Sequence, residues 1–214
     1  MARPLRIEYP DAVYHVSNYG LDNQRVFPSA KYFDAFLEAL GETCSRLNVE
    51  VHAFCLLRDQ YHLVIKTPEA NLSRFMRQID GLYTQQYQRM KRSDGSLFRG
   101  RYKAVLVQSE KYLLPLSRYI HSRVKASEIN KYPYSSNSLF TRKAKPPAWF
   151  NRNETLKQLR VAAAKRATAY KKYVAAGLDD ETAHFYGKKN LSSIMGDSKF
   201  KKGAQRKRSA TSLR

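Results

Sequence analysis

Val51-His52-Ala53-Phe54-Cys55-Leu56-Leu57-Arg58-Asp59-Gln60-Tyr61-His62-Leu63-Val64-Ile65 reads as two β-strands joined by a polar turn at Arg58-Asp59. Side chains alternate along a strand, so Gln60, His62 and Val64 take one face of the second strand and Tyr61, Leu63 and Ile65 the other. Gln60 and His62 therefore stand side by side, and two such side chains can hold a divalent cation together. In the first strand Val49, Val51, Ala53, Cys55 and Leu57 share a face, and Glu50, His52, Phe54 and Leu56 share the other. The register of the pair is not readable, so whether His52 shares a face with His62 stays open.

Working outward, Ala12 to Asn18 alternates as a first strand. Ser29 is placed to cap a helix running to Leu47, with Phe33, Phe36, Leu40 and Cys44 at helical spacing. Pro68 ends the strand that began at Gln60. A long second helix follows through Leu72, Phe75, Ile79, Tyr83 and Tyr87, its other side rich in Arg and Gln. Phe98 to Val107 reads as a fourth strand with a cationic first half, Gly100 marking a bulge or a close backbone approach. Ser109 opens a third helix with a buried stripe of Leu113, Leu116, Ile120 and Val124, from whose edge Tyr112 and Tyr119 look out. Pro115 predicts a kink in that helix, or a later start. From Asn130 the composition shifts: 143–147 reads as a linker, a helix runs from about Arg152 to Ala176 and stops at Gly177, and short helices follow to Ile194. The expected division is residues 1–140, a helical extension over 141–198, and a disordered basic tail over 199–214. The element order predicts an α+β fold, an antiparallel sheet of ferredoxin type with helices on one face.

The formal charge of +21, from 39 Lys+Arg against 18 Asp+Glu, places a compact fold under self-repulsion that polyanions relieve. With 15 Tyr and 10 Phe among those cations, single-stranded nucleic acid is the expected partner, bases stacking on rings while phosphates meet Lys and Arg. Cys44 and Cys55 lack metal-binding spacing and read as buried reduced thiols. No signal peptide and no membrane span are legible, so a cytoplasmic location is expected.

Several pieces together carry a resemblance: Tyr14-His15-Val16, Val51 to Leu56, Tyr61-His62-Leu63, Leu97-Phe98-Arg99-Gly100-Arg101-Tyr102-Lys103-Ala104 and Ser117-Arg118-Tyr119-Ile120-His121, with Met1 to Ile7, Tyr132 to Ser136 and Gly196 to Phe200 as further landmarks. The chain resembles the REP-associated tyrosine transposases, a bacterial branch of the single-tyrosine HUH transposases. The resemblance implies DNA recombination chemistry. In that family a histidine–hydrophobic–histidine strand binds Mg²⁺ or Mn²⁺, and a helix-borne tyrosine attacks a phosphate of single-stranded or hairpin DNA to form a phosphotyrosine. Carried over, Tyr119 is the nucleophile and His62 a metal ligand. Arg74, Arg77, Arg99, Arg101, Lys103, Arg118 and Arg123 are the expected DNA contacts.

Two departures from the family's pattern matter most; Tyr19 also replaces an expected arginine before Gly20, and Pro115 sits in the tyrosine-bearing helix. Gln60 stands where the family has its first histidine, and Arg123 stands where it has an amide residue assisting the metal. A Gln carbonyl can ligate a hard cation, but weakly; Arg cannot ligate, and its charge opposes a cation nearby. The expected ion is therefore held weakly or not at all. Two outcomes remain open: an enzyme that cleaves and rejoins DNA, or a catalytically inactive, repurposed DNA-binding protein. A general RNA-binding module is a third. Monomer and homodimer are both compatible with the sequence.

Overall fold

Alternating apolar segments and amphipathic helices pack here as a sheet covered on both faces. The computed structural model describes residues 6–142, 145–188 and 192–211. Residues 1–5 of the amino-terminal landmark, Lys143 and Ala144 of the expected linker, and residues 212–214 of the tail lie outside the described residues. In chain order the elements are β1 (Ala12–Tyr19), α1 (Ala30–Arg46), β2 (Glu50–Leu57), β3 (Gln60–Thr67), α2 (Leu72–Lys91), β4 (Lys103–Val107), α3 (Ser109–His121), α4 (Asn137–Thr141), α5 (Asn153–Lys157), α6 (Arg166–Ala175), α7 (Asp180–Gly187), β5 (Ile194–Met195) and α8 (Ser198–Thr211).

The strand order is β2-β3-β1-β4-β5. The first four are antiparallel neighbours, as the α+β reading requires; β5 adds at the edge, parallel to β4. Register places Ser17 opposite both His62 and Lys103, and Tyr19 opposite Gln60. One end of the sheet thus gathers Tyr19, Gln60, His62 and Lys103 on a single face.

The expectation that helices lie on one face is corrected. Helices α1 and α2 bury Phe36, Leu40, Phe75 and Ile79 against Tyr14, Val16, Leu63 and Ile65. Helix α3 packs Leu113, Leu116 and Ile120 on the opposite face, against Val13, Cys55, Val64 and Val105. Strand β2 does not keep one alternation either. The register shifts between Val51 and Ala53, so His52 is the extra residue of a β-bulge. Val51 therefore joins the α1/α2 core while Ala53 and Cys55 join the α3 core. His52 is buried beside Glu50 and Glu154, at 3.8 and 3.9 Å, rather than alongside His62.

The fourth strand begins later than expected. Phe98 to Tyr102 is irregular, pinned by a bridge from Phe98 to Gly20, and Gly100 turns at φ 105°. Pro115 lies inside α3, which starts at Ser109 and continues past it. The Gln158 side chain serves this stretch, accepting from the Leu114 N–H at 3.0 Å and donating to the Ser109 carbonyl at 2.8 Å.

The extension packs onto the domain. The helix expected from 152 to 176 is divided into α5 and α6, with Arg160 between them at φ 53°. Tyr170 is fully buried, its hydroxyl 2.9 Å from Ser117 Oγ and 2.7 Å from His121 Nδ1. The tail read as disordered forms α8 over its described residues.

Replacing Gln158 with Ala removes two side-chain hydrogen bonds to the α3 backbone. Loss of about 2 kcal/mol is expected, read as a lower urea midpoint with unchanged far-UV circular dichroism. An unshifted midpoint would show that water or neighbouring groups serve that stretch of α3 equally well.

Candidate active site and nucleic-acid interface

On the α3 face a chain of hydrogen bonds runs across the sheet. Tyr186 Oη lies 2.9 Å from His15 Nδ1, His15 Nε2 lies 3.1 Å from His62 Nδ1, and His62 Nε2 lies 3.0 Å from Gln60 Oε1. The carbonyl oxygen of Gln60 can only accept, so His62 Nε2 carries the proton. A neutral His62 then accepts at Nδ1 from His15 Nε2–H, and His15 accepts at Nδ1 from the Tyr186 hydroxyl. Every bond in the chain is satisfied with both imidazoles neutral. Burial holds both rings below their usual values: His15 is lowered to about 3 by burial and then by Arg123, and His62 falls well below 6.5 through burial, His15 and Arg123.

Tyr119 belongs to the same cluster. Its ring stacks on Tyr186 at 3.9 Å between centroids and meets the edge of His15 at 5.9 Å. The Arg123 guanidinium carbon lies 6.0 Å from its centroid. Burial raises the phenol above its ordinary value, Arg123 pulls the other way, and Tyr19 adds to the rise. Tyr19 also meets the edge of His62, and the Lys103 ammonium lies 5.4 Å from the Tyr19 ring.

These residues do not fit the divalent ion that the family pattern implies. Ligation by His62 needs a free ring nitrogen, yet both are engaged, one of them with the very Gln60 oxygen that would share the ion. A neighbouring guanidinium further opposes a cation there. Among the described residues no group of three or more His, Cys, Asp or Glu is placed to hold a metal ion.

Across the sheet, a cleft of about 710 Å³ opens between α2 and the 96–102 loop. Arg6, Arg77 and Arg101 line it, with Asp80 among the lining residues. Asp80 Oδ1 accepts from the Tyr61 hydroxyl at 2.6 Å and Oδ2 from Asn18 Nδ2 at 3.1 Å. Burial pushes its carboxyl up to about 6, against the pull of those two donors, which favour the ionised form. Arg6 stacks on the Tyr102 ring at 3.8 Å.

Of the residues expected to meet DNA, Arg74, Arg77, Arg99, Arg101, Lys103 and Arg123 are exposed. Arg118 is not: it is buried, ion-paired with Asp179 at 2.6 Å and stacked on Tyr173 at 4.0 Å, so it anchors the extension instead. Sequence patterns gave His15 no role beyond the sheet, marked Tyr19 only as a departure from the family pattern, and did not single out Tyr186 or Asp80. Alternation already placed His15 on the Tyr19 face, but nothing local signals that Tyr186 reaches Tyr119.

The domain is thus a histidine-bearing antiparallel sheet with a tyrosine presented over it by the helix after β4. The family model described as transposase IS200-like matches residues 10–123, and the chain belongs to that family. Among solved structures it is similar to a REP-associated tyrosine transposase bound to a REP hairpin, at 15% identity over 70% of this chain and 91% of that one, with a TM-score of 0.57. A transposase candidate from Deinococcus radiodurans R1 aligns at 16% identity over 58% of this chain and all of the other, with a TM-score of 0.39. No curated protein matches the chain in sequence. Among the described residues no helix is long and apolar enough to cross a membrane.

The neutral histidine pair gives stability a pH dependence. The folded values lie below the ordinary 6.5, so as pH falls the unfolded chain takes up protons first. The contribution is whole above about pH 6.5 and is lost as pH falls toward the folded values. Urea midpoints are expected to drop between about pH 7.5 and pH 4.5, while the His15 ring resonances do not titrate in that window. Titration of His15 near 6.5 would contradict the buried neutral relay.

Proposed function

We propose that this protein binds single-stranded and hairpin DNA in the manner of its family, and that it does so without the metal-assisted phosphotyrosine step. The reading is carried by one observation: both nitrogens of His62 are committed, to His15 and to Gln60. With the metal donors closed on each other, Arg123 supplies a fixed positive charge beside Tyr119 where a backbone phosphate can rest. Arg77 and Arg101 at the α2 cleft, and Lys103 by Tyr19, extend the cationic surface around the same end of the sheet. The relative bound to a REP hairpin supports hairpin DNA as the form to test first.

Strand cleavage and rejoining through Tyr119 is the second reading. It is favoured by the contacts of the Tyr119 ring with Arg123 and with the edge of His15, which is bonded to His62. Electrons would flow from the Tyr119 oxygen to phosphorus, the P–O bond to the leaving 3′ oxygen would break, that oxygen would leave as a 3′-hydroxyl carrying the proton lost by the phenol, and a 5′-phosphotyrosine would hold the strand for reversal.

A labelled hairpin oligonucleotide separates the two. Wild-type protein is expected to retard it with a steep dependence on salt, unchanged by EDTA, and to leave no covalent adduct on a denaturing gel with or without Mn²⁺. Tyr119→Phe should bind like wild type. Gln60→His with Arg123→Asn restores the family's donor types and is expected to gain Mn²⁺ affinity, measured by calorimetry. A wild-type adduct that disappears in Tyr119→Phe would establish the cleaving enzyme instead.

A further inference from the structure

We propose that the cleft between α2 and the 96–102 loop is a binding site for one unstacked guanine nucleotide of the DNA, its base directed inward at Asp80 and its phosphates outward at Arg77 and Arg101. The proposal rests on the reading of the protein as a DNA binder and names a subsite within it.

Shape comes first. The cleft measures about 710 Å³, within the range of sites that take a small organic ligand. Met76, Leu97, Phe98 and Tyr102 give it apolar and aromatic walls, the surroundings in which an extruded base is sandwiched. A base still stacked in a duplex could not enter.

Charge then sets the direction. The arginines alone would suit a phosphate anywhere in the cleft, but the Asp80 carboxylate repels one brought close. The base therefore goes to the carboxylate and the phosphates go to the guanidinium groups.

Asp80 also selects the base. Tyr61 and Asn18 each occupy one lone pair, one on each carboxylate oxygen, and fix the group in a single orientation. A carboxylate has further acceptor capacity on both oxygens and no donor. Guanine alone among the DNA bases presents a ring N–H and an amino N–H side by side, so it can meet both oxygens at once. Adenine and cytosine set an acceptor nitrogen beside the amino group, which a carboxylate opposes. Thymine offers one N–H between two carbonyls.

Gly81 supplies the independent observation. It lies in the middle of α2, where glycine is a poor helix former, and it lines the cleft. A Cβ added there would meet nothing within 4 Å, and its backbone is not in the left-handed region. Neither packing nor conformation calls for glycine at this position. Its effect is to leave the cleft open.

The test uses the full chain and fluorescence anisotropy on a DNA hairpin with a short oligothymidine overhang. One guanine is placed at each overhang position in turn, then replaced by adenine or an abasic site. At one position wild type is expected to prefer guanine by about tenfold over either replacement. Gly81→Trp should bring that ratio to about one, and Asp80→Asn should lower it. Gly81→Ala should keep the ratio, showing that the helix tolerates a side chain and that blockage is the cause. A wild type that binds the plain hairpin but shows no guanine preference at any position would overturn the guanine site and leave the DNA reading standing. So would a preference that survives Gly81→Trp. Failure to bind any hairpin, with RNA bound instead, would remove both.

Discussion

The bond between His62 Nε2 and Gln60 Oε1 decides the character of the α3 face. It fixes the tautomer of His62, which fixes that of His15, which turns Tyr186 into a donor. Two buried imidazoles, each a costly group to leave unpaired, are satisfied within one line of neutral bonds. The line also joins parts of the chain that are far apart in sequence. β1 and β3 contribute the histidines, β3 the glutamine and α7 the tyrosine. A side chain in the extension is thus bonded directly to β1, and its ring covers Tyr119. The Arg118–Asp179 pair reinforces the same docking from α3. The pair is largely buried on the arginine side and its hydrogen bond is short, so it holds α7 more firmly than an exposed ion pair would.

The sheet gives the molecule two working faces at one end. Asn18 and Tyr19 are consecutive, so their side chains leave the strand in opposite directions. Asn18 reaches Asp80 in the α2 cleft, while Tyr19 edges His62 on the α3 side. The 98–102 loop wraps the intervening rim and places Arg99 and Arg101 there, with Lys103 opening β4. On the proposed reading, a single strand of nucleic acid can follow these cations from one face to the other. Direct contact with both faces suits an unpaired segment, because a rigid duplex cannot turn around a sheet edge.

Much of this frame was legible from residue patterns. Period-two alternation in β3 set Gln60 and Val64 on the face of His62, and helical spacing found α1 and α2 to within a residue or two; α3 ends at His121, short of the Val124 that its apolar stripe included. What escaped was decided by distant contacts. The bulge at His52 reverses the faces of β2, and no local pattern reports it, because both faces are buried and both sets of residues are apolar. The cationic stretch before Lys103 looked like strand, but Gly100 at positive φ turns it into the rim of a cleft. Arg118 resembled a surface cation because charge was read without its partners; Asp179 lies far along the chain. The helix α8 has too few apolar residues to declare itself, and is visible only where it packs, at Ala204 and Phe200.

On the proposed reading, the departures from the family's pattern at 60 and 123 make most sense together. Glutamine alone would leave a site that still favours positive charge, one imidazole lone pair short. Arginine alone would leave two histidines facing a fixed cation, pushing them further toward the neutral state without filling the ion's place. With both present, Gln60 saturates His62 and Arg123 supplies charge that needs no ligands. A guanidinium can hold a phosphate through directed hydrogen bonds. As a charge of one rather than two, and without an open coordination position, it polarises the phosphorus less than a divalent ion would. On the proposed reading the exchange therefore separates two properties the family's chemistry combines: affinity for the backbone survives at Arg123, while the assistance that a tyrosine of raised pKa needs to attack it does not.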